Sequence, residues 1–406
     1  MKRESVKQNN RRLVLDYLRR TETASIAEIA SAVRISDPTI RKILQHYCEL
    51  GLVHPNGKGD SSLDGGKRPD LYRLNPAYGF VIALHVGPDF IYAALTDLQF
   101  QMSDDVYEPI EGNPQTKEII ERLVSIARTL EKQASAYGGK ILNVVIALPG
   151  IVNIHSGDSV YSPHFPQWES NFPFRDKFKK AFKRNIPVYI DGVNRLQAIA
   201  ELMVGQAKGM TNFLILDAME EGVGAGIIEG GESLHGLNYL AGEVGHIIVD
   251  PRGPECICGG VGCFEAAVSM KHIRALLQRG CETHGDSLLY KDKNPEEISL
   301  RELFLAAEEG DVYSMELMDL IVNYFAIGLN NVSVTIDPEL IVIQGIYVEA
   351  GPQFLTKIRN RLTKLSLPRV ERDISLVYTT FGVERGALGA GCFGIAEYFM
   401  RPELYR

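Results

Sequence analysis

Residues 241–269 read AGEVGHIIVDPRGPECICGGVGCFEAAVS and gather His246, Cys256, Cys258 and Cys263 into one glycine-rich segment. Three thiolates and an imidazole are the ligand set of a closed, tetrahedral zinc site, and with no position left for water the ion is structural. Cys256 and Cys258 stand one residue apart, and Gly259, Gly260 and Gly262 precede Cys263. Residues without a Cβ let the backbone wrap closely around an ion. The bland alternative, reduced cysteines that merely pack, fits an HxxxxxxxxxCxCxxxxC cluster poorly.

Two patterns in this segment, GExGH at 242–246 and CxCGxxGCxE at 256–265, resemble the signature of the ROK family, which unites bacterial sugar kinases with sugar-responsive repressors. The resemblance implies that the zinc holds up one wall of a sugar pocket and that Glu243, His246 and Glu265 hold sugar hydroxyls. Carboxylates and imidazole accept hydrogen bonds from several hydroxyls at once. A histidine bound to zinc through one ring nitrogen presents the other to a ligand.

A chain of 406 residues exceeds one ordinary core, so two or three domains are expected. No apolar run approaches the roughly 18 residues of a bilayer span, and the opening MKRESVKQNNRR lacks an apolar signal region. The expectation is a cytoplasmic protein with no membrane insertion. Besides the three clustered cysteines, Cys48, Cys281 and Cys392 are scattered, which fits a reducing compartment better than a disulfide framework. Charge is divided unevenly. Through Asn75, 14 Lys and Arg stand against 9 Asp and Glu, and beyond it 29 stand against 42. An acidic body with a basic head is expected when only the head meets nucleic acid.

Inside that head, Leu13, Val14, Tyr17 and Leu18 recur at helical spacing, and Ser25 opens a second helix carrying Ile26, Ile29, Ala30 and Val33. The short turn Arg34-Ile35 leads to Ser36, an N-cap residue type, with Pro38 in the first turn of a third helix that stops at Gly51. That helix keeps Ile40, Ile43, Leu44 and Tyr47 on one side and leaves Thr39, Arg41, Lys42 and Gln45 outward. The pattern predicts a helix-turn-helix whose outward residues contact phosphates and base edges in a major groove. Leu52 to Pro55 and Leu71 to Leu74 read as strands flanking a wing tip with Lys58, Lys67 and Arg68. The segment GGKRPDLYRLNP resembles the wing that precedes the effector body in repressors of the family.

From Phe80 onward apolar strands alternate with helical stretches, as in FVIALHV, IYAALTDL, ILNVVIALPG, NFLILDA, VGAGIIEGG and LIVIQG, which predicts an α/β body. The resemblance implies a two-lobed, actin-like sugar-kinase body. The expected division is a winged helix-turn-helix at 1–76, a first lobe at 77–190 plus 384–406, and a second lobe with the zinc site and sugar-pocket wall at 191–383.

The kinases of the family imply three phosphate-handling features, and each is degenerate in this chain. The aspartate of a DxGxT strand falls on His85, and Pro88 removes a backbone donor. The GTGxGxG turn reads EEGVGAG, with Glu220 and Glu221 where a triphosphate brings its own charge. Like charges about 4 Å apart cost about 4 kcal/mol at an effective dielectric near 20. The base of an NDxN motif falls on Gly192, which cannot accept a proton, with Asp191 and Asn194 flanking it. Gln344-Gly345 stands where a nucleotide-side glycine pair is expected. Asp191 and Asn194 remain sugar-contact candidates, Pro149, Gly150, Ser162 and Pro163 resemble the turns shaping the sugar cleft, and Trp168 reads as core.

The resulting expectation is a repressor, not an enzyme, that binds operator DNA as a homodimer or higher homo-oligomer and responds to a sugar or sugar phosphate. Two rivals stand beside it: an active ATP-dependent sugar kinase with an attached head, and a repressor controlled by a phosphotransferase-system protein instead of a free sugar.

Overall fold

The computed structural model describes residues 2–60, 68–291, 293–365 and 374–401. The chain packs as two compact units, Met1–Val193 with Val383–Arg406, and Asn194–Gly382.

The first unit opens with α1 (Lys2–Arg20), β1 (Ala24–Ser25), α2 (Ile26–Val33) and α3 (Asp37–Glu49). Val14, Leu15, Leu18, Ile29, Ile40, Leu44 and Tyr47 form its small core, and the Tyr47 hydroxyl donates to the Arg11 carbonyl at 2.9 Å. Ser25 and Glu28 complete a capping box: the Ser25 hydroxyl accepts the Glu28 N–H at 3.3 Å, and the Glu28 carboxylate accepts the Ser25 N–H at 2.7 Å. These reciprocal bonds satisfy two otherwise orphaned donors and lower the Glu28 pKa. Ser36 sits at the expected N-cap of α3, yet its hydroxyl pairs with Thr39 Oγ1 at 3.0 Å and bonds no backbone N–H. β2 (Val53–Lys58) and β3 (Asp70–Leu74) form the antiparallel wing, and β1 pairs the other side of β3.

Beyond the wing come β4 (Gly79–Val86), β5 (Phe90–Thr96), β6 (Met102–Pro109), α4 (Thr116–Ala136), β7 (Lys140–Leu148), β8 (Ile151–Asn153), β9 (Asp158–Tyr161), α5 (Phe174–Phe182) and β10 (Val188–Gly192). The main sheet runs β10-β7-β4-β5-β6, with β10-β7-β4 parallel. Ile82, Leu84 and Val86 share a core with α4 residues Ile119, Leu123 and Leu130. The opposite face receives the returning C-terminal helix. Burial on both faces is why β4 and β7 read as unbroken apolar runs, whereas the edge strand β6 carries alternating exposed positions.

The second unit begins within α6 (Val193–Val204) and continues through β11 (Phe213–Ala218), β12 (Val223–Glu229), β13 (Glu232–Ser233), α7 (Phe264–Val268), α8 (Met270–Thr283), α9 (Leu300–Glu308), α10 (Val312–Ile336), β14 (Leu340–Gly345), α11 (Gly351–Leu365) and β15 (Ser375–Tyr378). Its sheet runs β13-β12-β11-β14-β15. Leu214, Leu216, Ile341 and Ile343 pack with Phe264, Leu303, Phe325 and Phe354, while Phe213, Ile215 and Val342 face Ala198 of α6. α12 (Arg385–Phe399) then returns to the first unit.

Although no uninterrupted apolar run was expected, α10 is long and apolar enough to match a membrane span by length and composition. Most of that stretch is buried, and it packs between α9 and α11. Burial against protein is the other origin of an apolar helix.

Candidate functional site

The metal-ligand segment is a folded-back loop. Val249 donates to the Gly262 carbonyl and Cys256 to the Gly260 carbonyl, both at 2.8 Å, and Glu255 bridges Val261. Gly262, at φ 75°, passes so close to Asp250 that an added Cβ would lie 1.5 Å from the Asp250 carbonyl oxygen. The ligand atoms of His246, Cys256, Cys258 and Cys263 all lie within 4.8 Å of one another. Cys258 Sγ and Cys263 Sγ are 3.7 Å apart, and Cys256 Sγ is 3.8 Å from His246 Nδ1. A tetrahedral ion with sulfur ligands at about 2.3 Å sets neighbouring sulfurs about 3.8 Å apart, whereas a disulfide needs about 2.05 Å. The donor set and its spacing therefore fit a tetrahedral metal. As free thiols, burial pushes Cys256 and Cys263 up, while the Gly260 N–H pulls Cys258 down. A bound divalent cation overrides such preferences because coordinating thiols are deprotonated outright.

The two edges of the His246 ring face different groups. Nδ1 looks toward Cys256 and lies 3.5 Å from Glu265 Oε1, while Nε2 lies 3.9 Å from Glu243 Oε2. Glu265, in the first turn of α7, also accepts the Cys256 thiol at 3.0 Å and the Val223 N–H at 3.5 Å. Burial raises the Glu243 pKa, opposed by His246 and Arg195. Arg195 is itself buried and donates to the Tyr239 carbonyl at 3.4 Å. Glu243, His246 and Glu265 thus form one polar group around the thiol cluster. Asn194 belongs to the same unit and lies over Gly224, where an added Cβ would sit 2.0 Å from its Nδ2. Asp191 belongs to the first unit, where its Oδ1 accepts the Gly192 N–H at 2.6 Å.

At the positions expected to handle phosphate, the residues do other things. His85 is buried, with its pKa depressed to about 3, chiefly by burial and then by the Arg385 charge. It is a neutral ring, packed edge-on against Phe90 with centroids 5.1 Å apart. Phe90 in turn covers Gly87 and stacks on Tyr107. Glu220 lies 3.8 Å from Arg274, and Glu221 is exposed. The surviving glycines of that segment, Gly224 and Gly226, sit directly under α6. A Cβ at Gly226 would meet the Asn194 carbonyl at 2.1 Å.

In the head, Arg41, Lys42, Gln45 and Arg68 are exposed, and Thr39 is half-buried. Gln45 Nε2 donates to Glu49 at 3.1 Å. Lys58 pairs with Asp70 across the wing, and Lys67 lies outside the described residues.

A model of the ROK family matches residues 81–396. The chain belongs to the ROK family. Among its ROK relatives, the xylose repressor of Bacillus spizizenii is 28% identical over 400 residues, covering 97% of both chains. The glucokinase of Halalkalibacterium halodurans is 30% identical over 272 residues, covering 66% of this chain and 81% of the enzyme. A solved ROK family transcriptional regulator, described as a homolog of the E. coli MLC protein, has a TM-score of 0.80 at 24% identity and covers 97% of both chains. The architecture is accordingly an α/β ROK kinase-like body behind a winged head.

Sequence reasoning on this ROK chain missed three residues near the candidate positions. Phe90 and Arg195 come to their places through strand pairing and helix packing, which no local spacing encodes. Arg274 meets Glu220 from α8. Of the expected cleft and core residues, Ser162 Oγ is buried with no partner among the described residues, and Trp168 stacks on Phe165 and donates to the Pro114 carbonyl at 3.1 Å.

Proposed function

We propose that this chain is a sugar-responsive transcriptional repressor whose body binds sugar without transferring phosphate. The observation that carries the reading is a winged helix-turn-helix on the same chain as a ROK body, with a xylose repressor matched over 97% of both lengths. Residues 1–76 act as the DNA-binding domain, 77–190 plus 384–406 as the first lobe, and 191–383 as the second. Arg41, Lys42, Gln45 and Arg68 meet operator DNA, Arg and Lys chiefly at phosphates. Paired heads in a homodimer read two half-sites.

Zinc held by His246, Cys256, Cys258 and Cys263 supplies structural rigidity to the loop. Glu243, Glu265 and the free edge of His246 then accept and orient sugar hydroxyls. Loss of phosphoryl transfer is supported by His85, Gly192 and Glu221. The neutral buried ring cannot take the place of a metal-positioning acid, glycine cannot accept the hydroxyl proton, and a carboxylate repels a triphosphate.

Thermal shift against free and phosphorylated sugars, repeated with DNA selected by the protein from a randomised pool, tests this. One class of sugar should raise the melting temperature and change DNA affinity, and DNA should change sugar affinity by the same factor. A chain that no sugar stabilises loses the effector reading. The glucokinase relative motivates one rival assay: ADP release with a hexose panel should stay at background, and sustained turnover would make the chain an enzyme.

A further inference from the structure

Between the head and the first-lobe sheet lies a single short turn, Pro76–Tyr78, and it is fastened on both sides. On the head side, Asn75 donates its backbone N–H to the Leu52 carbonyl at 2.9 Å and its side-chain amide to the Gly51 carbonyl at 2.9 Å. The Asn75 carboxamide oxygen also accepts the Ala77 N–H at 3.1 Å. On the body side, the Tyr78 hydroxyl lies 2.8 Å from the Tyr398 hydroxyl of α12. The Lys140 ammonium sits 4.1 Å over the Tyr78 ring, and Arg401 sits 5.3 Å over Tyr398 while donating to the Leu142 carbonyl at 3.3 Å. A second contact runs from α1, where the Arg19 guanidinium lies 5.5 Å from the Phe100 ring.

A connector of this kind is not a tether. A polar linker with its groups in water lets two domains turn independently, whereas Asn75, Ala77 and Tyr78 of this one are hydrogen-bonded or stacked. The element it meets matters as much. α12 is the segment by which the chain re-enters the first unit at Val383 after leaving the second. It spans 15 residues, so at about 1.5 Å per residue it is a rod of about 22 Å. One end starts where the chain returns from the sugar-ligand unit, and the other carries Tyr398.

We propose that the Tyr78–Tyr398 hydroxyl pair is a coupling joint, through which displacement of α12 turns the DNA-binding head. The proposal rests on the sugar-responsive reading above and supplies its missing mechanical step. Tyr78 and Tyr398 are positioning residues, acting on DNA through the orientation of the head and touching neither ligand. The joint is small, so it transmits a modest coupling and can be broken without unfolding the chain.

The test uses the full-length chain as Tyr78→Phe, Tyr398→Phe and the double variant, each of which removes only hydroxyl oxygen. Hydrogen exchange in the segment 75–79 should quicken about fivefold in each single variant. The double variant should be no faster than either single one, because all three lose the same bond. Affinity for a DNA duplex selected by the wild-type chain should stay within about twofold without sugar, while the factor by which D-xylose, D-glucose or N-acetylglucosamine changes that affinity falls toward one. Unchanged exchange in 75–79, additive effects of the two substitutions, or an undiminished sugar factor overturns the joint. A wild-type chain whose DNA affinity ignores every free and phosphorylated sugar of the thermal-shift panel overturns the transmission claim together with the sugar reading, whereas altered sugar coupling with wild-type exchange overturns the joint alone.

Discussion

Replacing His85 by leucine isolates the buried imidazole that is proposed to stand in the place of a phosphate-handling acid. In the folded chain the imidazole takes a proton only near pH 3, whereas in an unfolded chain it does so near 6.5. Between those values the unfolded state binds more protons, so stability rises with pH across the window and is lost as pH falls below 6.5. The full span corresponds to about 5 kcal/mol at 1.36 kcal/mol per unit. At pH 5 the unfolded imidazole is already almost wholly protonated and the folded one is not, which costs about 2 kcal/mol relative to pH 7.5. With a urea m-value of about 2 kcal/mol/M, that is a midpoint shift of about 1 M.

The assay follows Trp168 fluorescence. This is the chain's single tryptophan, buried in the same unit as His85, so it reports unfolding of the part that matters. Other groups that titrate between pH 7.5 and 5 do so in both proteins and cancel in the difference. The His85→Leu chain should match wild type within about 1 kcal/mol at pH 7.5 and exceed it by about 2 kcal/mol more at pH 5. Midpoints that move in parallel would show that His85 is not held neutral in the fold. His85 could then not be an uncharged ring standing in for an acid.

Cys258→Ser should lower bound zinc, measured by inductively coupled plasma mass spectrometry, and thermal stability together, because metal binding and folding are linked; unaltered stability after exhaustive chelation of wild type would contradict a structural ion. Arg41→Ala should weaken DNA binding and reduce the slope of log affinity against log salt by about 1 if one phosphate contact is lost. An unchanged slope would remove Arg41 from the footprint.

The head was legible because each of its devices is local. The start of α2 needs only the residue type of Ser25 at a helix boundary, and the buried side of α3 repeats at helical spacing. The central strands β4, β5, β7, β11, β12 and β14 were legible for a different reason: burial makes them apolar runs, which turn residues cannot imitate. The polar edge strand β6 went unread because only one neighbour pairs with it, so its sequence, MSDDVYEP, keeps little of the apolar signal. Ser36 was read as a cap from residue type alone. Its hydroxyl pairs with the Thr39 hydroxyl instead, and residue type cannot choose between a hydroxyl and a backbone N–H within one turn.

The glycines of EEGVGAG show most clearly why motif residues and motif function separate. Reading them as a cradle that outlived its phosphate leaves their retention unexplained. Packing explains it for Gly226: α6 crosses β12 so closely that any side chain there would strike the Asn194 carbonyl and Ala198, whereas a Cβ at Gly224 would meet only the movable end of the Asn194 side chain. The absence of a Cβ at Gly226 is therefore required by the helix–strand contact whether or not a nucleotide ever binds. No comparable contact constrains Glu221, which is exposed. A fold that has ceased to need phosphate binding would lose its chemistry first at positions such as Glu221 and Gly192, and last where chemistry and packing share a residue.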